Sequence, residues 1–202
     1  MDFIIQMIGT TPIEIIAVMC GFINVFLIIK RSIWNYPFGL LMVVLYCKIF
    51  FDYQLYSDSL LQIFFFFMQI YGVYNWQQSN KNSGEIIVER LTAKSIYMIT
   101  GITVTLWLVL SFSLDTFTDA SFAYWDGAIA ALSVTAQILL VKRYFENWYL
   151  WITVDLLAIG LFAVKGLHPT AALYFVFLIL AVIGLFTWKS KLLDLKNENN
   201  EH

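Results

Sequence analysis

Lys142-Arg143-Tyr144-Phe145-Glu146-Asn147-Trp148 decides the fold, because its skeleton recurs 112 residues earlier as Lys30-Arg31-Ser32-Ile33-Trp34-Asn35-Tyr36. The same shift, without a gap, lays Glu14 on Asp126, Leu45 on Leu157, Phe50 on Phe162, Leu55 on Leu167, Leu61 on Leu173, Phe65 on Phe177, Gly72 on Gly184 and Trp76 on Trp188. Single matches are common in apolar sequence. One register held through three apolar stretches and the two loops between them is not, and it makes the chain two copies of one three-helix unit.

Working outward, the 202 residues are 60% hydrophobic and only 13% charged, about half the usual charged share of a soluble chain. Windows 12–29, 34–51, 59–76, 95–112, 124–141, 148–164 and 170–188 are each long enough to cross the hydrocarbon core. The sequence therefore predicts an all-α membrane protein of seven transmembrane helices: two parallel three-helix bundles joined by a linker helix, a 3+1+3 order. The division is 1–94 for the first bundle and its loop, 95–123 for the linker helix and following loop, 124–190 for the second bundle, and 191–202 for a polar, frayed tail. Parallel repeats about an axis along the membrane normal are a transporter architecture.

Orientation follows the positive charges of the short loops. Lys30, Arg31, Lys81, Arg90, Lys94, Lys142, Arg143, Lys189, Lys191 and Lys196 fall at one end, ten of the twelve Lys and Arg. Asp2, Asp52, Asp58, Asp115 and Asp119 fall at the other, with Lys165. The expectation is a bacterial inner-membrane protein with its N-terminus outside and its C-terminus cytoplasmic. Met1 to Thr11 lacks the basic n-region of a cleavable signal. Lys48 is expected to pair with Asp52 one turn on, and Cys20 and Cys47 to be reduced packing residues.

A net charge of −2 without a basic block excludes a nucleic-acid partner. Zincin, nucleophile-elbow and phosphate-loop signatures are absent and the two histidines are His168 and His202, so no catalytic residue, cofactor or metal site is expected. A seven-helix receptor or photoreceptor is the other alternative class, disfavoured by the repeat and by the lack of a lysine in 170–188.

The candidate site lies in the sixth window. Trp148, Trp151 and Asp155 stand at i, i+3 and i+7, on one helical face. A carboxylate near the bilayer midplane costs about 3 kcal/mol even on insertion scales, and it persists where a cavity or ligand uses it. Two indoles beside it would make a cage for a flat organic cation. Asp155 and Trp151 have Val43 and Gly39 as repeat mates, so this chemistry belongs to the second copy alone. Gln62 and Gln69 share a face of the third helix amid Phe64 to Phe67, and Tyr71 and Tyr174 could add hydroxyls. Asn24 and Gln137 read as bridges between helices, Glu14 and Asp126 as acidic residues opening matching helices, Asn35 and Asn147 as caps of the second and sixth helices, and Gly21, Gly39, Gly72, Gly160 and Gly184 as points of close approach.

Several segments together resemble the PnuC vitamin transporters: Tyr124-Trp125-Asp126, the Lys142 to Trp148 stretch, Leu55-Tyr56-Ser57-Asp58, Leu61-Gln62 and Tyr71-Gly72-Val73-Tyr74-Asn75-Trp76. The resemblance covers essentially the whole chain and implies the 3+1+3 fold of the SWEET sugar transporters. It also implies facilitated diffusion of nicotinamide riboside, or of thiamine in the related PnuT branch. The family's sixth-helix motif is similar to W-x-x-x-N and here reads Trp151-x-x-x-Asp155. Ionised Asp only accepts hydrogen bonds, so thiamine, a permanent cation with a donating aminopyrimidine, is the expected substrate and nicotinamide riboside the alternative. The partners expected are the vitamin, the lipid bilayer and a cytosolic kinase that traps the substrate functionally; a homo-oligomer is admitted.

Overall fold

A computed structural model describes residues 11–52, 56–118 and 121–198; Asp2, Leu55, Asp119 and His202 lie outside them. Among the described residues there are seven helices: α1 (Pro12–Ile29), α2 (Asn35–Asp52), α3 (Tyr56–Ser83), α4 (Ala93–Phe117), α5 (Ala123–Val141), α6 (Asn147–Val164) and α7 (His168–Glu198). Six are long and apolar enough to cross a membrane. The seventh, α3, is diluted by Gln62, Gln69 and Asn75.

Two helices outrun their apolar windows. α3 continues from Trp76 to Ser83 and α7 from Trp188 to Glu198, so the tail expected to fray from Leu192 is helical over most of its length. No Gly or Pro interrupts 77–83 or 189–198; apolar windows report the membrane's thickness, whereas helices end at breakers.

Local chemistry sets the helix ends. α1 opens with a capping box: the Glu14 amide donates to Thr11 Oγ1 (3.3 Å) and the Thr11 amide to Glu14 Oε2 (2.9 Å), with Pro12 in the first turn. Asn35 and Asn147 do not cap by accepting. Each begins its helix and donates its side-chain amide back to a carbonyl three residues earlier, Ser32 and Tyr144, both at 2.7 Å. The preceding turns are the same twice over. Arg31 (φ 53°) and Arg143 (φ 63°) take the left-handed conformation, and paired bonds close the helix ends, Ser32 to Leu27 and Arg31 to Ile28 in one copy, Tyr144 to Leu139 and Arg143 to Leu140 in the other.

Within the first unit α1 packs on α2 and α2 on α3; within the second α5 packs on α6 and α6 on α7. The units meet through α3 against α5 and α1 against α7, and α4 lies along α5 alone, mostly uncovered. Small polar groups seat α4, with Thr103 and Thr135 hydroxyls 2.9 Å apart and Trp107 Nε1 donating to the Tyr124 carbonyl at 2.9 Å. Lys48 pairs with Asp52 (2.8 Å), both cysteines are free, and Asn24 bridges α1 to the Asn35 carbonyl (2.8 Å).

The core lies toward the Lys/Arg-rich end. Trp76 and Trp188, both fully buried, stand 6.2 Å apart between the units. Trp76 Nε1 donates to the Leu140 carbonyl of α5 (3.4 Å), and Trp188 Nε1 to the Ile28 carbonyl of α1 (3.2 Å). Residue 140 is residue 28 shifted by 112. Each tryptophan thus closes on the other unit through equivalent atoms. Each also receives an edge-on ring from its own unit, Tyr36 on Trp76 (5.4 Å) and Trp148 on Trp188 (5.5 Å), and Gly72 and Gly184 leave room for those rings. The four rings form a pseudo-twofold aromatic plug.

Candidate functional site

Distance from the plug orders the polar side chains. At about 1.5 Å per helical residue, Asn24 and Gln137 stand about one turn from the carbonyls that Trp188 and Trp76 hold. Gln69 stands two turns from Trp76, and Asp155 two turns from Trp148. All four are buried. Among the described residues the side chains of Asp155, Gln69 and Gln137 make no hydrogen bond, so Gln137 is not the helix bridge the sequence suggested. Their polar atoms are not sealed in, as Ser111 Oγ, Asn147 Oδ1 and Trp148 Nε1 are; three unpaired polar side chains at neighbouring depths therefore border open space, where an outside partner would complete the bonding.

The two units build this level differently. In the first, Asn24 and Gln69 crowd the place a Cβ would take on Gly39, their amide nitrogens each 2.6 Å from it. In the second, the mates of Asn24 and Gln69 are Ala136 and Ala181, and the mate of Gly39 is Trp151. Two amides over a glycine have been exchanged for two alanines and an indole. Val43, fully buried, answers to Asp155. One unit supplies hydrogen-bonding amides, the other a ring face and a carboxylate.

On α6, Trp148, Val154, Asp155, Ala158 and Leu161 turn inward, while Tyr149, Thr153 and Leu156 are exposed. Trp151 is half-buried and packs against the plug's cluster. Trp148 is not beside it as a second cage wall: its ring is spent edge-on against Trp188 over Gly184, with Nε1 buried and unpartnered. The cage of two indoles is one indole above a seal.

The remaining candidates scatter. Tyr174 stacks on Phe162 (5.4 Å) and meets edge-on the ring of Phe177 (6.4 Å), which stacks on Phe22 of α1 (5.1 Å), hence it lies near the contact of α7 with the first unit. Gln62 lines a side groove between α2 and α3 with Val43, Cys47, Lys48 and Ser59. Tyr71 is 43% exposed; two residues from Gln69 is about 200° around a helix, so the two point oppositely. Sequence reasoning passed over Tyr46, whose ring stacks on Phe50 as ordinary helix packing would, and it took Asn24 only as a bridge.

The Asp-rich end is held by Lys165 on Asp126 (3.1 Å). At the Lys/Arg-rich end, a strap of residues 85–91 is held by both units, with Ile86 and Val88 in the core cluster and Arg31 and Arg143 donating to the Ile86 and Ile87 carbonyls.

A family model described as nicotinamide mononucleotide transporter matches residues 11–190. Among curated relatives, the nicotinamide riboside transporter PnuC of Escherichia coli (strain K12) is 29% identical over 201 residues, covering 87% of this chain and 84% of the relative. Its counterpart in Neisseria mucosa is 28% identical over 191 residues, covering 86% and 70%. Among solved structures, the crystal structure of the vitamin B3 transporter PnuC superposes with a TM-score of 0.70 at 26% identity, covering 87% of this chain and 79% of that one.

Proposed function

The chain belongs to the nicotinamide mononucleotide transporter family, and from that premise we propose that it takes up nicotinamide riboside by facilitated diffusion through a site between its two three-helix units. It is a multi-pass membrane protein of a transporter family, not an enzyme. The thiamine preference read from Asp155 gives way, because the relatives compared are named for nicotinamide riboside. That ligand is itself a cation, so a carboxylate suits it too.

The observation that carries the reading is Asp155, 5% exposed, its side chain without a hydrogen-bond partner among the described residues, one turn from Trp151. Trp151 supplies a stacking face for the pyridinium ring, Asp155 an opposite charge, and Gln69 and Asn24 donors and acceptors for the carboxamide and ribose. Asn24 and Gln69 lie in the first unit and Trp151 and Asp155 in the second, so the ligand joins the halves of a 3+1+3 assembly with α4 as linker. Rocking of the units would then expose the site to either side.

The basic end is assigned to the cytoplasm, which puts the N-terminus outside and lets cytosolic phosphorylation trap the product. Among the described residues Asp155 is the only buried acidic or basic side chain, which favours a uniporter. In proteoliposomes the protein should equilibrate radiolabelled nicotinamide riboside, saturably and without response to ionophores. Accumulation that collapses when the proton or sodium gradient is dissipated would overturn uniport, and uptake of thiamine alone would overturn the substrate. Reporter fusions at Asp115 and Lys191 should fall in opposite compartments.

A further inference from the structure

We propose that residues 85–91, between α3 and α4, are a latch that keeps the Lys/Arg-rich end shut and that must be released for the site to open there. The inference rests on the reading of two units that rock.

The segment Glu85-Ile86-Ile87-Val88-Glu89-Arg90-Leu91 is too short and too charged to read as more than a connector. It is nevertheless built into both units. Ile86 and Val88 are buried in the cluster that holds Trp76, Trp148 and Trp188. Glu89 pairs with the α5–α6 turn in the manner of a β-bridge: its amide donates to the Arg143 carbonyl (3.0 Å) and its carbonyl accepts from the Phe145 amide (2.9 Å). Glu146 accepts from the Leu91 amide at 3.1 Å. Ser79, at the end of α3, bonds the Glu85 carbonyl and the Ile87 amide.

The two repeat-related arginines close the clasp. Arg31, from the first unit, donates to the Ile86 carbonyl (2.9 Å) and meets Glu85 at 3.4 Å. Arg143, from the second, donates to the Ile87 carbonyl (3.1 Å), to Glu89 (2.6 Å), and to the Asn75 side chain (2.6 Å) and carbonyl (3.0 Å) of the first. Glu85 also takes Lys191 of α7 at 3.2 Å. Glu85 and Arg143 therefore each bind both units at once.

Backbone geometry points the same way. The turn after α6 uses a glycine, Gly166 (φ 74°), at the left-handed position, as such turns ordinarily do. The turns after α1 and α5 place arginine there, at a cost that only a compensating role offsets. The guanidiniums they aim at the strap provide that role.

The test uses full-length protein in vesicles with Cys20 and Cys47 replaced by Ser, and a charged, impermeant thiol reagent applied to the basic end. Two reporters are made separately, Val88→Cys in the strap and Gln137→Cys beyond the plug. Both should be protected with the arginines intact. Arg31→Gln and Arg143→Gln should each speed labelling of both reporters by at least about tenfold, as expected where local opening limits access, whereas Asp126→Asn at the far end should not. Arg143→Lys serves if Arg143→Gln fails to fold, since it keeps the charge and loses the fork. Labelling at the parent rate in the arginine variants would overturn the latch. No substrate is needed for this readout, so a parent that moves no nicotinamide riboside sinks the substrate reading and leaves the latch to be decided by the labelling.

Discussion

Gly184→Ala isolates the plug on which the closed end depends. A Cβ there would stand under 3.0 Å from three ring carbons of Trp148, and that ring cannot retreat freely, being 2% exposed and edge-on to the fully buried Trp188. Overpacking of this kind costs about 1 to 3 kcal/mol, and disturbing the edge-to-face pair up to about 1.5 more. Replacing a helical glycine by alanine returns about 1 kcal/mol. The net expectation is a loss of up to about 3.5 kcal/mol. Gly101→Ala on α4 is the control, because nothing lies within 4 Å of its Cβ and only the gain of about 1 kcal/mol should register. Equilibrium unfolding in mixed micelles should therefore separate the two variants by about 1 to 4.5 kcal/mol. Gly72→Ala, which meets Tyr36 in the first unit, should fall on the same side as Gly184→Ala. Equal stability of Gly184→Ala and Gly101→Ala would refute the packing argument.

Asp155→Asn should keep nicotinamide riboside binding within about threefold, since an amide exchanges a charge contact for a donor to the ligand's carboxamide, while Asp155→Leu should lose about tenfold or more; calorimetric titration reads both. Asp155→Asn should also raise unfolding stability, an unpaired carboxylate being the dearer group to bury. Glu85 gives the strap a pH dependence: the hydrogen bond from Lys191, aided by the charges of Lys191 and Arg31 against partial desolvation, holds its carboxyl below the usual range. That stabilisation is present above the unfolded-state value and fades as pH falls through the lowered one. Between about pH 5 and pH 3 the parent should lose more stability than Glu85→Gln, which lacks the dependence; identical pH profiles would remove Glu85 from the clasp.

Much of this was legible because the repeat and the apolar windows are properties of spacing. Six helix starts fall within two residues of those read from sequence and the α3 start within three, and the Glu14 and Lys48 partners are local in sequence. The site was only partly legible. Asp155 is unusual by type and depth alone, whereas the use of Trp148 as a seal depends on Gly184 of another helix. Tyr71 shows the same limit, since an aromatic five residues before a tryptophan looks equally suited to lipid or ligand. The strap was not legible at all, because Ile86 and Val88 become core residues only once both units stand around them.

The central claim is that nicotinamide riboside sits between the units on the Trp151 face. Isothermal titration of purified parent, Trp151→Ala and Tyr71→Ala with nicotinamide riboside tests it most directly. Stacking and cation–π attraction to a desolvated ring are together worth about 2 kcal/mol, so Trp151→Ala should weaken binding at least about tenfold, and Tyr71→Ala should bind like the parent. Parent-like affinity in Trp151→Ala, or a loss confined to Tyr71→Ala, would contradict the account.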